Sequence, residues 1–238
     1  MPNLTYVPCE TGGSEGGGRG LTQTIALYGG QPRVGKTTDA MNLAVLAARA
    51  GRRTCLAHMD PGWPAAQALG VAPTEGVARS VRPGLDLALL PNDGHSLARR
   101  GFSPGADAQV VLLDVPSPPA AAVPLLRCAD QVILLARAGK DALPGLARDL
   151  GLVMGVLAGG DVSLKVTGLL MTLADPSLAS FERFLVQAER AFPAEVLPYC
   201  IPRANAGDEE SDLVVEFAAT GRRARAYVEI AMEVLEDG

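Results

Sequence analysis

Nine consecutive residues, Gly30-Gln31-Pro32-Arg33-Val34-Gly35-Lys36-Thr37-Thr38, fit the pattern G-x4-G-K-[ST] and constrain this chain more than any other stretch. A loop of this kind turns backbone N–H groups onto phosphate oxygens, while its Lys reaches the β- and γ-phosphates and its Thr hydroxyl meets Mg2+. It works only between a strand and a helix, because the free N–H groups and positive dipole end of the helix must face the anion. The flanks supply both: Leu21 to Gly29 is an apolar run suited to a buried strand, and Thr37 to Gly51 carries apolar residues at helical spacing. Gly30, Gln31, Arg33, Val34, Gly35, Lys36, Thr37 and Thr38 are therefore the candidate phosphate-binding residues.

The rest of the chain repeats that alternation. Apolar β-forming runs predict strands over Leu21–Tyr28, Arg53–Met59, Leu85–Leu90, Val110–Asp114, Gln131–Ala136, Lys165–Thr172 and Glu195–Ile201. Helical spacing predicts helices over Thr37–Gly51, Trp63–Leu69, Ala120–Cys128, Leu143–Leu157, Ser177–Phe192 and Gly221–Leu235. Between them, Gly70 to Gly84 is punctuated by Pro and Gly and reads as loop with at most a short helix. Strands alternating with helices imply an α/β fold: a doubly wound, mostly parallel sheet with helices on both faces and ligands at the carboxyl ends of its strands. At 238 residues this is one domain of ordinary size, residues 21–238, preceded by a Gly-rich flexible tail over residues 1–20.

Charge and cysteine usage narrow the setting. A net charge of −5 gives no global attraction to nucleic acid or to an anionic membrane, so either partner would need a local basic patch. Cys9, Cys55, Cys128 and Cys200 are scattered, which fits free thiols in a reducing cytosol. The start of the chain lacks the pattern of a secretory signal and no apolar run is long enough to span a bilayer, so the expectation is a cytoplasmic protein without a membrane partner.

Hydrolysis of a nucleoside triphosphate needs a phosphate cradle, a divalent metal and a group that orients water. Lys36 and the amides from Val34 to Thr38 form the cradle, and Thr37 offers one metal contact. Asp114 ends an apolar strand, where a carboxylate either holds Mg2+ with Thr37 or is an ordinary strand-end turn residue; beside a phosphate loop the metal role is favoured. Asp60 ends the strand after the loop's helix, where it either positions the attacking water or caps the Pro61-Gly62 turn.

From Leu21 onward the order of motifs resembles the ParA/MinD family of P-loop ATPases, closest to its ParA branch. Gly35-Lys36-Thr37-Thr38 is followed by Asn42, which matches an Asn of the family's first helix. Asp60-Pro61 falls on the second Asp of the D-x-D-P element, and Asp114-Val115-Pro116 is similar to the D-x-P-P segment. Ala129-Asp130-Gln131-Val132 is similar to an A-D-x-V strand entry, Ile201-Pro202-Arg203-Ala204-Asn205 to an I-P-R loop near the nucleotide base, and Gly221 to Tyr227 to the S-R-G-A-x-x-Y start of the last helix. The resemblance implies ATP and Mg2+ as cofactors, Lys36, Asp60 and Asp114 as catalytic residues, Thr37 and Asp114 at the metal, and Pro202 and Arg203 at the nucleotide. It further implies an ATP-dependent homodimer that binds DNA non-specifically on the nucleoid, with a partner protein stimulating hydrolysis.

Several residues depart from that pattern. The family's loop reads K-G-G-x-G-K-[ST], a deviant Walker A whose first Lys reaches across the dimer; here Gln31-Pro32-Arg33 replaces K-G-G. Gln31 carries no charge, which weakens neutralisation of a partner's triphosphate, and Pro32 removes one N–H. Arg33 either compensates at a phosphate or is a solvated loop residue. His58 stands where the first Asp of D-x-D-P would be and reads as a packed or partly solvated strand-end residue rather than a base. Arg222, Arg223 and Arg225 form a candidate DNA-contacting patch, but acidic residues from Asp208 to Asp212 precede them and Glu229, Glu233, Glu236 and Asp237 follow, so a solvated helix of mixed charge reads equally well. Two readings result: a ParA-like ATPase that partitions or positions DNA or a large cargo, and a nucleotide-dependent localisation adaptor with little turnover and no DNA. A small-molecule enzyme on the same fold would need a second polar pocket, which the sequence does not suggest.

Overall fold

The computed structural model describes residues 22–59, 62–72, 76–90, 107–139, 142–160, 162–192, 196–204, 213–217 and 221–236. Within them the strands are β1 (Gln23–Tyr28), β2 (Thr54–His58), β3 (Gly76–Arg82), β4 (Leu85–Leu89), β5 (Val110–Asp114), β6 (Gln131–Ala136), β7 (Lys165–Ala174) and β8 (Val196–Pro202). The helices are α1 (Lys36–Arg49), α2 (Pro64–Leu69), α3 (Pro119–Leu126), α4 (Ala142–Ala158), α5 (Ala179–Ala191), α6 (Val214–Phe217) and α7 (Arg222–Glu236). Asp60, Asn205, the tail over residues 1–20, the acidic stretch from Asp208 to Asp212 and most of the stretch from Gly94 to Gln109 lie outside the described residues.

All eight strands join one sheet in the order β3-β4-β2-β5-β1-β6-β7-β8. Every pairing is parallel except β3 with β4. Alternate side chains of each inner strand enter opposite cores. Ile25 and Leu27 of β1 join Leu112 of β5 under α1, α2 and α7, whereas Ala26 and Tyr28 join Val111 and Leu113 under α3, α4 and α5. Because both faces are covered, the middles of the inner strands are apolar on both sides, with polar residues such as Gln23, Thr54, His58, Asp114 and Gln131 at their ends, which is why they read as hydrophobic runs rather than alternating ones. The doubly wound, mostly parallel α/β sheet expected from the sequence is the fold observed.

Two elements differ from expectation. Residues 76–82 form an edge strand, not loop: β3 turns through Pro83-Gly84 and pairs antiparallel with β4, with Arg82 opposite Leu85. Gly84, at φ 75°, makes the two-residue turn possible. The strand is mostly exposed, so it lacks the alternation that would have revealed it. The short α6 is the second addition; its Glu216 takes the Arg82 guanidinium at 2.8 Å and ties β3 to the helical layer. Among the described residues no helix is long and apolar enough to cross a membrane.

Candidate functional site

β1 sits between β5 and β6, so the chain leaving it enters the crevice at the carboxyl ends of the strands, where the winding reverses. Gly29 passes so close to β6 that a Cβ on it would lie 2.8 Å from the Leu135 carbonyl oxygen. The loop then closes on Gly35, which caps α1 at φ 96°, a left-handed conformation that suits glycine. With no side chain at this cap, the first turn of α1 presents its backbone donors and dipole toward the loop. Val34 is buried and its carbonyl accepts a hydrogen bond from the Thr172 hydroxyl of β7. Arg33 has φ 56° and is exposed on the outside of the loop.

Three expected residues meet at the head of α1. The Lys36 ammonium donates to the Gly29 carbonyl at 3.1 Å and to Ser117 Oγ at 2.8 Å, so it lies back over the loop. Thr37 Oγ1 donates to Asp114 Oδ2 at 2.7 Å. That bond orients the hydroxyl so that its lone pairs remain for a cation, and Asp114 brings the negative charge. Among the described residues no three His, Cys, Asp or Glu side chains gather as a metal cage. A hydroxyl and one carboxylate beside a phosphate cradle suit Mg2+, a hard cation that takes few protein oxygens and completes its shell with water and substrate phosphate. The residues present therefore fit a Mg2+–triphosphate group.

His58 is fully buried, as a packed strand-end residue should be, but it does more than pack: its Nδ1 lies 2.6 Å from Asp114 Oδ2, the oxygen Thr37 also uses. Asn42 spans α1 and α6, donating to the Thr38 carbonyl and accepting from the Val215 amide. Gln31 is half-buried, its Oε1 accepting the Arg137 amide at 3.1 Å just beyond β6.

Sequence reasoning missed Ser117, Asp39 and Asp149. Asp39 lies in the first turn of α1, buried, and accepts the Tyr227 hydroxyl of α7 at 2.6 Å. Burial pushes its carboxyl up to about 7, opposed by the Tyr227 hydrogen bond and the Arg223 guanidinium. The unfolded chain releases that proton near 3.8 and the fold only near 7, so the fold binds the extra proton between them. Stability should therefore fall as pH rises through that window and level off above it. Asp39→Asn is expected to remove most of this slope, as checked by urea unfolding at about pH 5 and about pH 8; an unchanged slope would assign it to other groups.

The remaining expected residues lie farther along the rim. Pro202 ends β8 opposite Ala174 of β7, and the Arg203 amide donates to the Ala174 carbonyl at 2.7 Å. Arg203 and Arg222 both lower the Asp175 carboxyl below its ordinary range, behind the larger effect of hydrogen bonds from Ser177. Arg222 and Arg225 are exposed, whereas Arg223 is half-buried and acts on the Asp39–Tyr227 pair. The candidate patch at the start of α7 is thus two exposed arginines rather than three.

The model of the CobQ/CobB/MinD/ParA nucleotide binding domain matches residues 25–212, which takes in the loop, Asp114 and Pro202-Arg203. The chain belongs to this family. Within it, the chain is 30% identical to the chromosome-partitioning ATPase Soj of Thermus thermophilus over 91% of this chain and 97% of that protein. It is 27% identical to the chromosome partitioning protein ParA of Myxococcus xanthus, over 82% of each. Among solved structures, cobyrinic acid a,c-diamide synthase of Mycobacterium smegmatis with bound ADP and magnesium shares the fold at a TM-score of 0.74. That match has 21% identity and covers 91% of this chain and 95% of the other.

Proposed function

We propose that this chain is a ParA-like ATPase that binds ATP with Mg2+ at the loop from Gly30 to Thr38 and hydrolyses it slowly to partition or position DNA or a large cargo. The observation that carries the reading is the Thr37–Asp114 hydrogen bond beside Lys36, which pairs a hydroxyl and a carboxylate at the mouth of a phosphate loop. Likeness to Soj along nearly the whole of both chains supports the partition role.

In this reading Lys36 and the loop amides take the β- and γ-phosphates, Thr37 and Asp114 hold Mg2+, and Pro202 and Arg203 lie toward the base. The metal, when bound, neutralises charge that builds on the phosphate oxygens. Asp60 keeps the water-positioning role that its place after β2 and the family resemblance suggest. His58, through Asp114, orients the carboxylate that meets the metal. Arg222 and Arg225 supply the cationic surface for DNA phosphates, and a partner protein stimulates turnover.

The tie of Gln31 to its own Arg137 amide favours a second reading, a nucleotide-dependent localisation adaptor, because the residue at the family's cross-dimer position is engaged within its own chain. One experiment separates them: oligomeric state and binding to non-specific duplex DNA, with and without ATP and Mg2+, over a salt series. The partition reading expects an ATP-dependent dimer whose DNA affinity falls steeply with salt. A protein that binds ATP yet stays monomeric and ignores DNA in every condition would decide for the adaptor.

A further inference from the structure

The first half of the phosphate loop is held from outside by α4. The Gly30 amide donates to Asp149 Oδ2 at 2.8 Å, and Asp149 is buried. The approach is so close that a Cβ on Gly30 would lie 2.4 Å from Asp149 Oδ1. On one side Gly29 is pressed against the Leu135 carbonyl, and on the other Gln31 accepts the Arg137 amide and lies along Gly145 of α4. Residues 29–31 thus run in a slot between the end of β6 and α4, with a contact at each residue. Asp149 supplies a carboxylate to that slot, and its charge also interacts with Arg148 and Lys36.

We propose that Asp149 is a positioning residue for nucleotide binding: by accepting the Gly30 amide it holds the loop in its phosphate-ready shape before the ligand arrives. A preshaped loop binds without first losing conformational freedom, so the clamp acts on affinity while touching no ligand atom. A hydrogen bond from this part-buried amide to a buried carboxylate is strong enough to matter, because it is charge-assisted and its loss removes the acceptor that fixes the Gly30 N–H. The same clamp gives glycine at position 30 a role other than backbone conformation: its φ is not in the left-handed region, but a Cβ there would push the Asp149 carboxylate aside.

The proposal rests on the nucleotide-binding reading for its consequence but not for its geometry, and the test uses two readouts for that reason. Amide hydrogen exchange of the loop peptide in the nucleotide-free protein reports the clamp, and equilibrium titration with a fluorescent ATP analogue and Mg2+ reports its effect. Asp149→Asn keeps an acceptor oxygen and should retain both loop protection and affinity within about threefold. Asp149→Ala should speed loop exchange and weaken the analogue about tenfold or more, with cooperative thermal unfolding preserved. Gly30→Ala should do the same by displacing the carboxylate, and the double variant should cost no more than one single change, because both break one contact. Wild-type exchange and affinity in Asp149→Ala would overturn the proposal, as would Asp149→Asn behaving like alanine or fully additive single changes. If the wild type failed to bind the analogue, the nucleotide reading would fall, while the exchange data would still decide whether the clamp exists.

Discussion

Replacing Lys36 by alanine is expected to weaken ATP binding by two orders of magnitude or more while leaving the fold intact. The ammonium donates to Gly29 O and Ser117 Oγ, both beside the crevice, so a small swing carries it to a triphosphate. Charge-assisted hydrogen bonds of this kind contribute about 1.5–3 kcal/mol each, and two of them account for about 100-fold or more in affinity. The fold should tolerate the change because Ser117 Oγ already donates to the Gly29 carbonyl at 3.2 Å, so neither group is stranded. Calorimetric titration with Mg2+ and ATP, beside a thermal melt, measures both quantities. Asp60→Ala is the contrasting variant: it should bind ATP as the wild type does and lose turnover. A Lys36→Ala protein with wild-type affinity would remove the site from this loop.

Much of this site could be read from the chain alone, and the part that could not has a common physical character. Gly30 to Thr38 is contiguous, and its flanks are a buried strand and an amphipathic helix, so pattern and periodicity locate it. Asp114 was legible because it closes an apolar run. The missed contacts all join distant segments: Gly30 to Asp149 across 119 residues, Asp39 to Tyr227 across 188, and His58 to Asp114 across 56. No local pattern marks the carboxylate of Asp149, which sits in an ordinary amphipathic helix and acquires meaning only when α4 packs beside β6. The three arginines of the last helix show the converse. Their spacing suggests a single patch, but helical geometry rotates Arg223 inward toward Asp39 and leaves Arg222 and Arg225 outside. Gln31 is an uncharged residue at the position of the family's first loop Lys; its engagement with the Arg137 amide depends on where β6 ends, which the sequence of the loop does not encode. The edge strand β3 escaped because a strand exposed on most of its length needs no hydrophobic period.

Asp114→Asn should separate nucleotide binding from its dependence on Mg2+. In the wild type Asp114 Oδ2 accepts from both Thr37 Oγ1 and the His58 ring, so two donors converge on one oxygen of a buried carboxylate. An amide oxygen can still accept one of these bonds, which preserves local packing, but it brings no negative charge to a divalent cation. ATP affinity in excess chelator should stay near that of the wild type, since Lys36 and the loop amides are untouched. The gain in affinity on adding Mg2+ should disappear, and turnover should fall about 10²–10³-fold, the scale seen when one group that stabilises transition-state charge is removed. His58→Asn serves as the companion: it leaves the carboxylate charged and removes the ring that orients it, so it should weaken the Mg2+ response in part and leave chelated binding unchanged. The order of effects, Asp114→Asn above His58→Asn above wild type, is what distinguishes a carboxylate that meets the metal from one that merely ends a strand. An Asp114→Asn protein that kept the full Mg2+ response would place the metal elsewhere and leave the Thr37–Asp114–His58 chain a packing device, since nothing else in that chain of hydrogen bonds carries the charge a divalent cation requires.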